Sequence, residues 1–483
     1  GEVLSTFKGS ELDGVEYLNK LTNKTGVVVC DSFVESGSGT GLVHLCPSHG
    51  EDDFDVCLKY NLETNNDLTD SAGNLLLNGL FCLNEGSESV LKELELANML
   101  FKSEEYEHSY PHDWRTNKPV YFKLTKQFFL DLERVREDAK LCLKGVDMSD
   151  DRWLNRLSNM LNLRQRWCLS RQRKWGFPLA TFLKDGELYM NQELNDWVLN
   201  RFKKEGSDFW FDLHVSDLPM QFKHLGLQKC DYTMDVWFDS GSSWYTVLDN
   251  QVADLYLEGS DQCRGWYQSS LLTSVMFDNK APYKKVLTHG FVLDDKGNKM
   301  AKSVGNVVSP RDVQKKYNTD VFRLWVFTSN YKDDVQLGDQ SLKTCADYYF
   351  KLRNTLKYLL GNMYGYVETT LELRDKDKLA LDLNNKMYKE CLENYSLYNF
   401  RKVSDTLMPW LAKFSGDYLD VETKSYLYEY DVDSLERLRC QYVMKDALEK
   451  MLKVLAPVTP FLAEDAYQNY EFKKHSSVYF EEL

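Results

Sequence analysis

The sequence has no apolar run approaching the ~18–20 residues that cross a bilayer, which excludes an integral protein with helical spans. It has no C-x-x-C pair. The eleven cysteines are scattered from Cys30 to Cys440, and the closest two are Cys46 and Cys57. That spacing argues against a zinc ribbon and the low density against a disulfide scaffold, leaving free thiols in a reducing compartment. The opening residues, GEVLSTFKGSELDG, show no basic stretch followed by an apolar one, so no signal peptide is read there. No repeat recurs at a fixed period. Positive charge is not in excess: 59 Lys+Arg stand against 74 Asp+Glu, a net −15. A generic duplex-DNA coat is thereby disfavoured, although a local basic groove can sit on an acidic body.

What is present is core-forming. Of 483 residues, 43% are hydrophobic and 13% aromatic, too apolar for a disordered chain and long enough for two to four domains. Residues 26–34 and 40–45 read as strands, with a turn cluster from Gly37 to Gly41 between them. Residues 91–101 and 153–164 have helical spacing, and 117–131 reads as strand leading into loop. Short strands at 234–238, 254–258 and 285–293 alternate with a helical segment at 265–277, the pattern of an α/β domain with a mostly parallel sheet. After Pro310 the spacing turns helical over 311–362 and 383–470, with 365–383 the expected linker.

The sharpest segment is GFVLDDKGNKMAKSVGN, Gly290 to Asn306. A strand ends in a polar turn, then Lys299 and Lys302 follow three apart around Met300. Two ammonium groups on such a loop suit a polyphosphate ligand, although a bare K-x-x-K is more often a solvated turn. This loop resembles the K-M-S-K-S loop of class I aminoacyl-tRNA synthetases. GTGLVHLCPSHGEDDFD (39–55), HSYPHDWR (108–115), WCLSRQRKWGFP (167–178), DVWFDSGSSW (235–244) and YLEGSDQCRGWYQSSLL (256–272) resemble successive blocks of isoleucyl-tRNA synthetases of the bacterial or organellar type, in that family's order.

The resemblance implies an α/β Rossmann-like catalytic part (second half only), a β-rich editing-domain remnant and an all-α C-terminal anticodon-binding bundle. The expected boundaries are 1–115 for the editing part, 116–310 for the catalytic half, 311–370 for a stem-contact region and 371–483 for the bundle. The family's H-I-G-H signature and the Thr-rich strand of its editing domain are absent; His224-Leu225-Gly226-Leu227 is a chance near-match. The implied activity is ATP-dependent activation of isoleucine, transfer to tRNA(Ile) and hydrolysis of valyl-tRNA, with Mg2+ accompanying ATP. The rival reading is a non-catalytic tRNA-binding derivative. The expected state is a monomer, or a pair with a second chain carrying the missing half, in a bacterial cytoplasm or an organelle.

By the same resemblance, Lys299 and Lys302 stabilise the departing pyrophosphate. Trp237 and Trp266 wall the isoleucine side chain, a role that in isolation would yield to plain core packing. Glu258, Gly259, Asp261, Gln262 and His289 lie around the aminoacyl-adenylate. His44 and Asp53 hold misattached valine for hydrolysis, which such an enzyme needs because one methylene discriminates by only ~1–3 kcal/mol. No metal site is read. The chain departs from the family pattern at Ala301, Cys263 and Asp113. Arg437, Arg439, Lys445, Lys450 and Lys453 are candidates for phosphate contacts.

Overall fold

In a computed structural model the chain forms two compact units, Gly1–Phe128 and Phe129–Leu483. The described residues are all but 1–2, 36–39, 66, 71, 84, 106, 114–115, 303 and 483, and the side chain at 422.

The first unit contains a hairpin, Glu16–Asn19 antiparallel to Lys24–Val27, turning at Asn23 with φ 55°. The strand expected over 26–34 survives only at its start. Val28 N–H still bonds Val15 O at 2.9 Å, but Cys30 N–H goes to the Asp13 carboxylate at 3.1 Å, so a side chain replaces the ladder. Residues 40–45 form no strand, and Leu42 and Val43 are exposed. Most of the predicted turn before them, 37–39, lies outside the described residues; Gly41 has φ 71°. Helices run over Glu51–Lys59 and Glu85–Leu96. The second was expected at 91–101; it stops short, with Asn98 in the left-handed region.

In the second unit, two parallel strands, Tyr256–Gly259 and Val286–His289, flank the helix Trp266–Asp278 in a β-α-β unit. That helix is buried along most of its circumference, because helices Glu133–Leu143 and Asp151–Leu163 share its core. Its Leu271 and Leu272 are fully buried, each contributing roughly 1.5–3 kcal/mol. A smaller antiparallel sheet, Phe182–Lys184 with Glu187–Tyr189 and Gln228–Lys229, packs with helix Gln192–Glu205 around Phe182, Leu194 and Trp210. The strands expected at 254–258 and 285–293 do pair in parallel, while the other described strand pairings are antiparallel except that of Val292–Leu293.

Three sequence expectations are corrected here. The segment 234–238 is not a strand: pairing stops at Met234, and Asp235 caps the helix Val236–Gly241. The strand at 117–131 comes last rather than first, as Phe129–Asp131. The strand at 285–293 is split by Gly290, whose Cα lies against the backbone of Asp333 and Asp334; Val292–Leu293 then pairs with Val335–Gln336, a strand inside a stretch read as helical. A methyl on Gly290 would sit 2.3 Å from the Asp333 carbonyl oxygen. Gly290→Ala is therefore expected to cost about 1–3 kcal/mol through overpacking. A thermal melt checks this, and an unchanged midpoint would show that the 333–334 backbone yields freely.

Helices Asp339–Gly361, Asp375–Ser396, Phe400–Lys413, Leu435–Leu455 and Pro460–Gln468 build the C-terminal bundle around one large core. The expected linker 365–383 is irregular only to residue 374. Arg374 binds the fully buried Asp377 through two bonds of 2.8 and 2.7 Å and starts the next helix. Burial pushes the Asp377 carboxyl up, but Arg374 and the Tyr418 hydroxyl outweigh it and hold it below its usual range.

Candidate active site

The carboxyl ends of the two parallel strands place Gly259 opposite His289. A Cβ on Gly259 would lie 2.7 Å from Asp261 Oδ1 and 3.6 Å from His289 Cε1, so these residues meet closely and glycine leaves the room. Gln262 Nε2 donates to Asp261 Oδ2 at 3.2 Å, and its Oε1 accepts Trp266 N–H at 2.9 Å. His289 Nδ1 lies 2.8 Å from Gly290 O. A carbonyl only accepts, so Nδ1 carries the proton and Nε2 is the acceptor of the neutral ring. Glu258 and Asp261 are exposed. Five predicted residues thus lie at the carboxyl ends of these two paired strands.

The tryptophans differ from each other. Trp237 is 39% exposed, its ring edge on Gly265, where a methyl would come within 2.8 Å of it. Trp266 stacks on Tyr256, rings 3.9 Å apart and 9° from parallel, and its indole N–H donates to Ser240 O at 2.8 Å and Ser243 Oγ at 3.2 Å. One face of Trp266 is therefore committed to the core.

Behind them is a charge arrangement not anticipated from sequence. Asp235, buried, accepts from the Trp167 indole N–H at 2.8 Å, pairs with Arg171 at 2.9 Å, and bonds Trp237 N–H at 3.3 Å. The W-C-L-S-R run and the D-V-W-F run thus lock each other, and Trp237 is aimed by that lock. Their being two quoted blocks was the available signal; their contact was not.

The lysine loop leaves the strand Val292–Leu293. Buried Asp294 accepts from the backbone N–H groups of Lys296 and Asn298, at 3.0 and 2.7 Å, and from Asn306 Nδ2 at 2.9 Å. Asn306 also takes Ala301 N–H at 2.9 Å and gives to Lys299 O at 3.2 Å. Asp294 and Asn306 therefore clamp the loop at both ends, and the Asn306 and backbone bonds hold the Asp294 carboxyl below its usual range. Met300 packs with Val313, Val321, Trp325 and Leu337. Lys299 Nζ lies 4.8 Å over the Phe291 ring, and Lys302 is exposed. Among the described residues no carboxylate pairs with either ammonium. Ser303 lies outside the described residues.

In the first unit His44 is exposed, while Asp53 sits in the first turn of Glu51–Lys59 and accepts Cys46 N–H at 3.0 Å. Among the described residues no hydrogen bond joins His44 to Asp53. Nearby His49, unlike His44, is engaged: Nδ1 donates to Phe122 O at 2.8 Å and Nε2 lies 3.4 Å from Asp67, which Lys123 meets at 2.9 Å. No group of His, Cys, Asp or Glu side chains among the described residues converges to hold a metal. No described helix is long and apolar enough to cross a membrane.

Most of the cations proposed for phosphates are engaged internally. Arg437 bonds the carbonyls of Leu427 and Tyr364, and Lys445 faces Glu368 and Glu449. Lys450 binds Asn385 and Asp446, and Lys453 the Glu482 carbonyl.

The sequence that builds this site matches a known family. The model of class I tRNA synthetases for isoleucine, leucine, methionine and valine covers residues 28–338. The chain belongs to that family. A second family model, the anticodon-binding domain of tRNA ligases, matches 377–483, so a synthetase catalytic region is followed by a helical anticodon domain. The chain is 40% identical over 508 residues to an isoleucine–tRNA ligase of Prochlorococcus marinus (strain MIT 9515), covering 98% of this chain and 52% of that protein. It is 40% identical over 504 residues to the chloroplastic/mitochondrial isoleucine–tRNA ligase of Arabidopsis thaliana, covering 98% and 46%. The chain thus spans about half the length of these relatives. In fold it is similar to the methionyl-tRNA synthetase of Mycobacterium tuberculosis in complex with methionyl-adenylate, with a TM-score of 0.54 at 16% identity, over 74% of this chain and 65% of that one.

Proposed function

We propose that the chain carries the second half of the catalytic domain, part of the editing domain and the anticodon bundle of an isoleucine–tRNA ligase. The observation that carries this reading is the pair of ammonium groups, Lys299 and Lys302, with no carboxylate partner among the described residues, on a loop clamped by Asp294 and Asn306 that follows the strand end bearing His289. Positive charge held ready there lowers the barrier for pyrophosphate leaving the α-phosphate of ATP as the isoleucine carboxylate attacks. Exposed carboxylates at 258 and 261 suit the substrate's ammonium and ribose hydroxyls. Trp237, half open, offers the apolar side chain a wall. With no converging carboxylate cluster among the described residues, Mg2+ would arrive on the nucleotide's phosphates. His44 and Asp53 are read as the editing pair for valyl-tRNA. The setting is a bacterial cytoplasm or an organelle, the latter as for the chloroplastic/mitochondrial relative, with tRNA(Ile), isoleucine and ATP as substrates.

The strand Tyr256–Gly259 pairs on one edge only among the described strands, and its Leu257 is 51% exposed. An open edge of this kind accepts another strand, and the half of the relatives that this chain does not span is the fitting source. The 483 residues alone are therefore expected to show no isoleucine-dependent ATP–pyrophosphate exchange, and to gain it when joined to that half. Exchange by the chain alone at the rate of the joined protein would refute the need for completion. A joined protein that is equally silent would favour the non-catalytic tRNA-binding reading.

A further inference from the structure

One of the places where the site and the helical bundle meet is the loop Ser329 to Asp334. On its site side the loop holds the break between the two parallel pairings. Tyr331 O accepts Gly290 N–H at 2.9 Å, Asp334 Oδ1 accepts Phe291 N–H at 2.7 Å, and Gly290 lies flat against the Asp333 carbonyl. Gly290 directly follows His289, and Phe291 supplies the ring under Lys299. On its bundle side, the Tyr331 hydroxyl donates to Tyr398 O at 2.8 Å and its ring lies 5.6 Å from Phe400.

Tyr398 is the unusual member. It has φ 54°, at the C-terminal end of helix Asp375–Ser396, where glycine is the ordinary residue. A tyrosine there carries backbone strain. Its ring is used: Lys285 Nζ lies 4.7 Å above it, and Lys285 precedes Val286, the first residue of the site strand. Strain of this kind persists where the surrounding contacts over-determine the residue. The bundle's turn thus touches the site strand at its start, through Lys285, and at its end, through Tyr331 and Gly290.

We propose that Tyr331 and Tyr398 are positioning residues that couple RNA binding by the bundle to the placement of the 290–306 segment and its lysines. Neither touches substrate. Two tyrosines bridge two elements by one hydrogen bond and ring contacts, so a shift of the 397–400 turn moves the Tyr331 carbonyl and with it Gly290. The proposal rests on the tRNA-ligase reading, because it requires an RNA that the bundle engages.

The test uses the full 483-residue chain and a tRNA(Ile) transcript, with binding isotherms and amide hydrogen exchange measured together. The wild type is expected to bind the transcript and to change exchange over 290–306 by several-fold. Tyr331→Phe and Tyr398→Gly are expected to bind within about twofold of wild type and to lose that change. Tyr398→Gly separates coupling from folding, since glycine relieves the left-handed strain and should leave the melting temperature unchanged or higher. Retention of the exchange change in both variants would overturn the joint. So would binding by wild type with no change over 290–306. Failure of the wild type to bind the transcript would overturn the tRNA reading itself, and the coupling with it.

Discussion

Lys302→Ala, made in the complete protein, is expected to lower the rate of isoleucyl-adenylate formation by on the order of 10²–10³-fold, the loss typical of removing one preorganised group from a developing anion. The loss should fall on kcat. Lys302 is exposed and unpaired on a loop whose two ends are fixed by Asp294 and Asn306, so its ammonium is free to meet charge that grows only as pyrophosphate departs. Isoleucine affinity, which the proposed reading assigns to Trp237 and the strand ends, should change little. Pre-steady-state adenylation with an isoleucine titration reads both quantities. Equal losses in affinity and rate would place Lys302 in ground-state binding instead.

The second large effect concerns editing. In the complete protein, Asp53→Ala is expected to abolish deacylation of pre-formed valyl-tRNA while leaving isoleucine activation intact, because Asp53 and Lys302 lie in separate compact units. Valyl-tRNA would then accumulate at the ratio the synthetic pocket alone permits, about 10–200-fold for one methylene. The structure also gives Asp53 a local duty. Its carboxylate closes the 46–50 turn through Cys46 N–H and lies so near Gly50 that a methyl there would be 2.6 Å away. A lowered melting temperature with unchanged deacylation would confine Asp53 to that turn.

What the sequence made legible was local and chemical. The apolar spacing, read over 153–164, gave the helix Asp151–Leu163 to within two residues at either end, and the Asp150 side chain caps its start. The D-D-K-G-N turn was visible because Gly297, with φ 82°, needs the freedom glycine has. The strand-end cluster was legible only through its block of neighbours, since Glu258 and Asp261 alone would read as a solvated acidic turn. What escaped was set by contacts between distant segments. Nothing local to 285–293 announces that Asp333 breaks the strand at Gly290. Nothing in M-D-V-W-F shows that Asp235, tied to Trp167 and Arg171, turns a β-branched run into a helix. The bundle cations looked free because a sequence does not show the carbonyls and carboxylates that engage them.

The central claim is that the strand-end pocket and clamped lysine loop activate isoleucine. It is tested most directly by amino-acid-dependent ATP–pyrophosphate exchange in the complete protein, compared across isoleucine, valine, leucine and methionine. With Trp237 as the proposed apolar wall, kcat/KM is expected to be highest for isoleucine, with valine lower by about 10–200-fold, the range one methylene allows. A preference for leucine or methionine, or exchange that does not depend on the amino acid supplied, would contradict it.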